Sequence, residues 1–164
     1  MKRLIIAFVV LASFVILQGC GVSTKKEDTT GSVPDMENEI KEGTLPDLSK
    51  LSFTKTKSGL EYTDLKSGEG MEADKGHKVT VHYHGWLISG RRFDSSLMKK
   101  EPFSFELGAG KVIRGWDEGV QGMQEGTQRI LRIPSKLGYG STGFPGAIPP
   151  NAPLIFYVKL LKIE

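Results

Sequence analysis

The chain has 164 residues, of which 38% are hydrophobic and 25% charged, enough for one folded unit and an extension. This composition excludes a collagenous, a disulfide-framed and a polytopic membrane protein. Its 22 basic and 19 acidic residues give a net charge of +3, too small an excess to indicate a nucleic-acid partner, and none is expected.

The chain opens on Met1-Lys2-Arg3, and residues 4–17 are apolar except for Ser13. That run is shorter than the roughly 20 residues a membrane-spanning helix needs. A basic start, an apolar run and a small residue together read as an export signal over residues 1–19. The only cysteine, Cys20, stands where that signal ends. Leu17-Gln18-Gly19-Cys20 resembles a bacterial lipobox, whose cysteine is lipidated after cleavage. A plain secretory signal with an incidental thiol is the simpler alternative. A lipid anchor explains why an exported chain keeps one cysteine at this point. Each buried methylene contributes about 0.8 kcal/mol, so two or three acyl chains hold a protein on a bilayer. The expected location is the bacterial cell envelope, with the domain outside the cytoplasm and tied to the membrane.

Residues 21–50 contain no Phe, Trp or Tyr and carry seven acidic and four basic residues. Such a segment buries too little apolar surface to offset its ordering entropy. With Cys20 it is predicted to be a flexible linker over residues 20–50, spanning roughly 30 Å. Residues 35–42 allow a transient helical turn. They show no heptad repeat, and a monomer is expected.

Residues 51–164 hold every aromatic side chain beyond Phe8 and Phe14 and form the predicted folded domain. Residues 60–65 are a weak strand candidate. Residues 78–88 alternate strongly: Val79, Val81, Tyr83 and Leu87 share one face, Thr80, His82, His84 and Trp86 the other. Phe103, Phe105 and Leu107 alternate with Ser104 and Glu106. Residues 114–120 suit one short helix, its length limited by Gly115, Gly119 and Gly122. Residues 128–133 place Leu131 and Ile133 on one face. Residues 154–161 place Leu154, Phe156, Val158 and Leu160 together. The balance is an α+β domain built on an antiparallel sheet.

No nucleophile stands beside an evident base. Gly138-Tyr139-Gly140-Ser141-Thr142-Gly143 fits the spacing of a dinucleotide loop, but the prolines that follow forbid the required helix. His82 and His84 share a strand face and could grip a metal, yet a solvated or hydrogen-bonded face is the simpler reading. Asp117 and Glu118 are adjacent on the helix and point apart, so charge at its N-terminus is their expected role. Neither metal nor cofactor is expected.

Three segments carry a resemblance together. They are Arg91-Arg92-Phe93-Asp94-Ser95-Ser96, Val112-Ile113-Arg114-Gly115-Trp116-Asp117-Glu118-Gly119, and the stretch from Gly138 through Ile148-Pro149-Pro150-Asn151. In this order they resemble the defining motifs of the FKBP-type peptidyl-prolyl cis-trans isomerases, collinearly from about Val79 to Glu164 and more loosely from Leu51. The resemblance implies a five-stranded antiparallel sheet wrapped around one short helix, with a pocket between them. It implies that Trp116 forms the pocket floor. Tyr83, Phe93, Phe103, Val112, Ile113 and Phe156 would form the walls, and Asp94 the acidic group near the reacting amide. Tyr139 and the backbone N–H of Ile113 would donate to a ligand carbonyl, and Ile148 would cover the mouth. The implied partners are unfolded or proline-containing polypeptides and macrolides such as tacrolimus and rapamycin. Phe144 stands where many members carry His, Lys99 where Arg often pairs with the acidic residue, Lys111 where an acidic residue is frequent, and Leu137 where Tyr is frequent. These substitutions bear on macrolide affinity.

The implied chemistry suits these residues. An X–Pro bond rotates over a barrier of about 18–20 kcal/mol without any bond being made or broken, so no nucleophile or metal is required. The expected role is to assist folding of exported proteins. The competing reading is a proline-binding chaperone or interaction module with little catalysis.

Overall fold

The computed structural model describes residues 33–164. The expected signal of residues 1–19 and Cys20 lie outside the described residues.

Nine strands build the body: β1 (Thr54–Lys55), β2 (Glu61–Lys66), β3 (Glu69–Glu72), β4 (Lys78–Leu87), β5 (Arg92–Ser95), β6 (Phe103–Glu106), β7 (Gln124–Glu125), β8 (Gln128–Ile133) and β9 (Leu154–Ile163). Three helices accompany them: α1 (Val33–Glu42), α2 (Ser96–Lys99) and α3 (Arg114–Val120). The main sheet runs β1-β2-β8-β9-β4-β5, with β6 also on β4. All of its pairings are antiparallel. β5 pairs with the last part of β4 and β6 with its first part, so both occupy one strand position. With β1 only two residues long, the body is the expected five-stranded antiparallel sheet. β3 and β7 form a separate two-stranded ribbon.

The concave face of the sheet holds the larger core. Val79, Val81, Leu131, Ile133, Leu154, Phe156, Val158 and Leu160 point into it, as alternation required. α3 lies across this face. Gly115 and Gly119 do more than limit its length. A Cβ on Gly115 would stand 2.5 Å from Ile133 Cγ2, and one on Gly119 2.7 Å from Leu131 Cδ2. Their bare backbone lets α3 settle directly onto β8. Arg129, itself 7% exposed, fastens the helix: Nη1 donates to the Gly119 carbonyl at 2.9 Å, while Nε and Nη2 hold Asp64 at 2.6 and 2.9 Å. Asp117 caps the preceding loop rather than simply charging the helix end. Its carboxylate accepts from Gly108 N at 2.8 Å and Gly110 N at 3.1 Å. Glu118 accepts from Ser58 Oγ at 2.8 Å.

Two expectations fail on the opposite face. Residues 33–50 were expected to belong to a flexible linker, yet they form a strap across the back of the sheet. α1 is followed by a 3₁₀ turn at Leu48–Lys50, capped by the Asp47 side chain on Ser49 N at 2.9 Å. Ile40 and Leu48 are buried in a second core with Trp86, Ile130, Ile155 and Tyr157. A few well-placed apolar anchors suffice because the sheet already presents a broad apolar surface to receive them. The strap also overturns the solvated reading of the His84 face: His84 and Trp86 are both fully buried.

Candidate active site

A cavity of about 260 Å³ opens between the concave face and α3. Its floor is Trp116, the third residue of α3, 3% exposed. Three rings meet this indole nearly edge-on: Tyr83 of β4 at 5.0 Å and 83°, Phe156 of β9 at 5.3 Å and 85°, and Phe103 of β6 at 6.1 Å and 74°. Phe93 of β5 closes the side against Phe156 at 5.5 Å and 89°. Such edge-to-face pairs place a positive ring edge on a negative ring face and hold the cage rigid. Val112 and Ile113 complete the lining where the chain enters α3, and no side chain caps that helix end. The Trp116 indole nitrogen is buried with no hydrogen-bond partner among the described residues.

The cage depends on a residue that the sequence reading passed over. A Cβ on Gly85 would lie 2.7 Å from Phe93 Cζ and 2.8 Å from Phe156 Cε1. Only a bare backbone there lets both rings stand over β4. The signal was present, since a glycine inside a strand marks a close approach.

Polar groups gather on one wall. The Tyr83 hydroxyl donates to Asp94 Oδ2 at 2.6 Å, and Lys99 Nζ donates to Oδ1 at 2.6 Å. The Ser95 backbone N–H adds a third donor to Oδ1 at 2.8 Å. Burial opposes ionisation of Asp94, but the bonds from Lys99, Tyr83 and Ser95 outweigh it and hold the carboxyl below its ordinary range. Burial and the Asp94 charge push Tyr83 upward, so its phenol keeps its proton. Tyr139, 37% exposed at the rim, is raised by burial and by Asp94 as well. Both phenols are therefore donors at neutral pH. Lys111 also reaches the cavity and pairs with Glu106 at 2.7 Å.

Phe144 and Ile148 do not reach the cavity wall. Their backbones form a small hairpin, with Phe144 N to Ile148 O and Ile148 N to Phe144 O both at 2.8 Å. Ile148 points inward and is 5% exposed, so it props the loop instead of covering the mouth. Phe144 is 54% exposed and leans on the Tyr139 ring at 5.8 Å. His82 and His84 have unlike surroundings: His82 Nδ1 lies 3.1 Å from Ser96 Oγ, while His84 is sealed beneath the strap, where neither ring nitrogen makes a well-formed hydrogen bond among the described residues.

The cavity is thus walled by aromatic rings and edged by the Tyr83 and Tyr139 phenols and the Asp94 carboxylate. A family model described as FKBP-type peptidyl-prolyl cis-trans isomerase matches residues 69–161. An FK506-binding protein of Neisseria meningitidis serogroup B is 56% identical over 105 residues, covering 64% of this chain and 96% of the relative. A peptidyl-prolyl cis-trans isomerase of Schizosaccharomyces pombe is 47% identical over 107 residues, covering 65% and 96%. Among solved structures, the crystal structure of AtFKBP13 superposes with a TM-score of 0.65 at 37% identity, covering 70% of this chain and 100% of that one. The chain belongs to the FKBP-type peptidyl-prolyl cis-trans isomerase family, and its activity is prolyl cis-trans isomerisation.

Proposed function

We propose that this isomerase acts on exported polypeptides from a lipid anchor at the bacterial cell envelope, and that the Trp116 cage with its Tyr83–Asp94 wall is where the X–Pro bond turns. The packing of the cage around one open, proline-sized cavity is the observation that carries the site assignment. Rotation of the amide takes tens to hundreds of seconds unaided. A turnover of about 10–10³ s⁻¹ needs roughly 4–7 kcal/mol of differential stabilisation. The planar amide is polar through resonance, and the twisted transition state has lost that resonance. A cage of five aromatic rings receives the twisted form better than the planar one. Tyr139 at the rim donates to the substrate carbonyl. The backbone N–H of Ile113 is a second donor. Asp94, held ionised, faces the changing amide dipole, and Tyr83 and Lys99 fix its orientation. Phe93, Phe103, Val112 and Phe156 grip the ring, and Phe144 extends the rim beside Tyr139.

Relatives bearing the name FK506-binding protein support macrolides such as tacrolimus and rapamycin as ligands of the same cage. Lys99 offers Asp94 a single point contact in place of a planar fork, and Lys111 and Phe144 reshape the rim. Weaker macrolide binding than peptide catalysis would suggest is the expected consequence.

The envelope assignment is supported by the basic start, the apolar run and Cys20. Among the described residues no helix is long and apolar enough to cross a membrane. A lipid on Cys20 is the attachment this reading requires. Cys20→Ala is expected to move the protein from the membrane fraction to the soluble one. Retention of the variant on the membrane without lipid would contradict the anchor.

A further inference from the structure

β5 carries two residues of the cage, Phe93 and Asp94, and is the least supported strand of the site. It has four residues and lies at the end of the sheet, with only β4 beside it. Its ladder is also interrupted. Gly85 faces Asp94 and Trp86 faces Arg92, so Phe93 is an extra residue with no partner on β4. This bulge turns the Phe93 ring toward Phe156, but it removes ladder support where aim matters most.

The strap supplies the missing support from behind. α1 ends at Glu42 and is followed by Gly43, whose φ is +76°. Gly43 N bonds the Ile40 carbonyl and Thr44 N bonds the Glu39 carbonyl, both at 2.9 Å, which closes the helix in a glycine C-cap. That turn aims the Gly43 carbonyl at the sheet. It accepts from Trp86 Nε1 at 3.0 Å and from Arg92 Nη1 at 3.0 Å. Trp86 and Arg92 are the cross-strand pair that adjoins the bulge. One carbonyl therefore ties β4 to β5 at the residue before Phe93. A Cβ at Gly43 would stand 1.9 Å from Arg92 Nη1, so a side chain there would push the guanidinium away from the carbonyl. The strap lies outside the span matched by the family, residues 69–161, whereas Arg92 lies within it.

We propose that residues 33–50 form a positioning strap: the Gly43 carbonyl clamps Trp86 and Arg92 together and so fixes the bulge that presents Phe93 and Asp94 to the substrate. Gly43 and Arg92 are positioning residues for isomerisation, and this role rests on the cage being the isomerase site. A strap that only stabilised the sheet would affect folding and leave the geometry of β5 untouched.

The test compares the whole chain with Arg92→Met, Arg92→Lys, Gly43→Ala and Ile130→Val. It reads kcat and KM on a proline tetrapeptide, amide hydrogen exchange along β5, and the urea midpoint. Arg92→Met and Gly43→Ala are expected to lower kcat by about tenfold with little change in KM, since small misplacements at a site carry large rate costs. Exchange of the β5 amides should rise by a similar factor while β8 and β9 stay protected. Arg92→Lys keeps a donor for the carbonyl and should recover at least half of the loss. Ile130→Val thins the back core on β8, two strands away from β4, and leaves the clamp's hydrogen bonds in place, so it should lower the urea midpoint and leave kcat and β5 exchange unchanged. If Gly43→Ala does not fold, Arg92→Met decides. Unchanged kcat and β5 exchange in Arg92→Met, or changes no larger than those in Ile130→Val, would overturn the proposal. Should the parent chain itself fail to accelerate the peptide, the isomerase reading falls, and β5 exchange still decides the clamp.

Discussion

The two faces of the main sheet are both aromatic, yet they end in opposite states. On the back, Trp86 is buried and its indole N–H is satisfied by the Gly43 carbonyl at 3.0 Å. On the concave face, Trp116 is buried and its indole N–H has no partner among the described residues. The strap fills the back with Ile40 and Leu48. α3 crosses the front at an offset and leaves a cavity of about 260 Å³. Aromatic burial is thus common to structure and site. What separates them is how the cover meets the buried indole: the Gly43 carbonyl of the strap satisfies Trp86, whereas α3 leaves a cavity beside Trp116.

The contrast can be broken most forcefully at its two buried centres. Trp116→Ala removes the floor of the cage and should cost about 3–5 kcal/mol in stability along with nearly all catalysis. Urea titration and a peptide assay would show both losses together. Ile130→Ala on the sealed face should cost about 2–5 kcal/mol by the same cavity argument. Here kcat/KM of the folded fraction should stay within about twofold, because the residue touches nothing in the cage. Equal catalytic loss in the two variants would erase the distinction between the faces.

Finer changes sharpen the comparison. Tyr139→Phe should lower kcat/KM by about three- to tenfold, the worth of one hydrogen bond, with an unchanged urea midpoint because the hydroxyl is at the rim. His84 offers the smallest effect and the clearest sign. Burial first, and then the charge of Arg92, hold its pKa down to about 4 from 6.5. In that window the unfolded chain binds the proton more tightly than the folded one. The stability His84 contributes is therefore complete above about pH 6.5 and is lost as pH falls toward about 4. His84→Leu should flatten that part of the urea-midpoint profile relative to the parent. A profile of unchanged slope would mean that the ring is not sealed beneath the strap.

Much of the front was legible in the sequence. Period-two alternation located β4, β8 and β9 and put Val79, Leu131, Phe156 and Leu160 on the core side, where the structure has them. Six residues that line the cavity, Phe93, Asp94, Val112, Ile113, Trp116 and Tyr139, lie within the family motifs, while Tyr83, Phe103 and Phe156 come from strands β4, β6 and β9. β5 escaped, since a four-residue bulged strand has no alternation to read. Ile148 was misplaced because a loop of glycine and proline gives no cue to which way a side chain turns. The strap escaped for a different reason. Composition averages over residues 21–50, and a mean low in apolar residues hides the two, Ile40 and Leu48, that anchor the back core. The usable signal lay elsewhere, in the second face of the sheet. Trp86, Ile130, Ile155 and Tyr157 sit opposite the main core on three strands, and such a surface needs a cover.

The most direct test is cis-to-trans relaxation of a proline tetrapeptide by the purified parent chain, Asp94→Val and Tyr139→Phe, with circular dichroism on each. Relaxation well above the thermal rate for the parent, and slower for both variants at native dichroism, is the result expected of a cage that turns the X–Pro bond between Trp116 and Asp94. Full activity in both variants, with native spectra, would contradict it and place the chemistry elsewhere on the molecule.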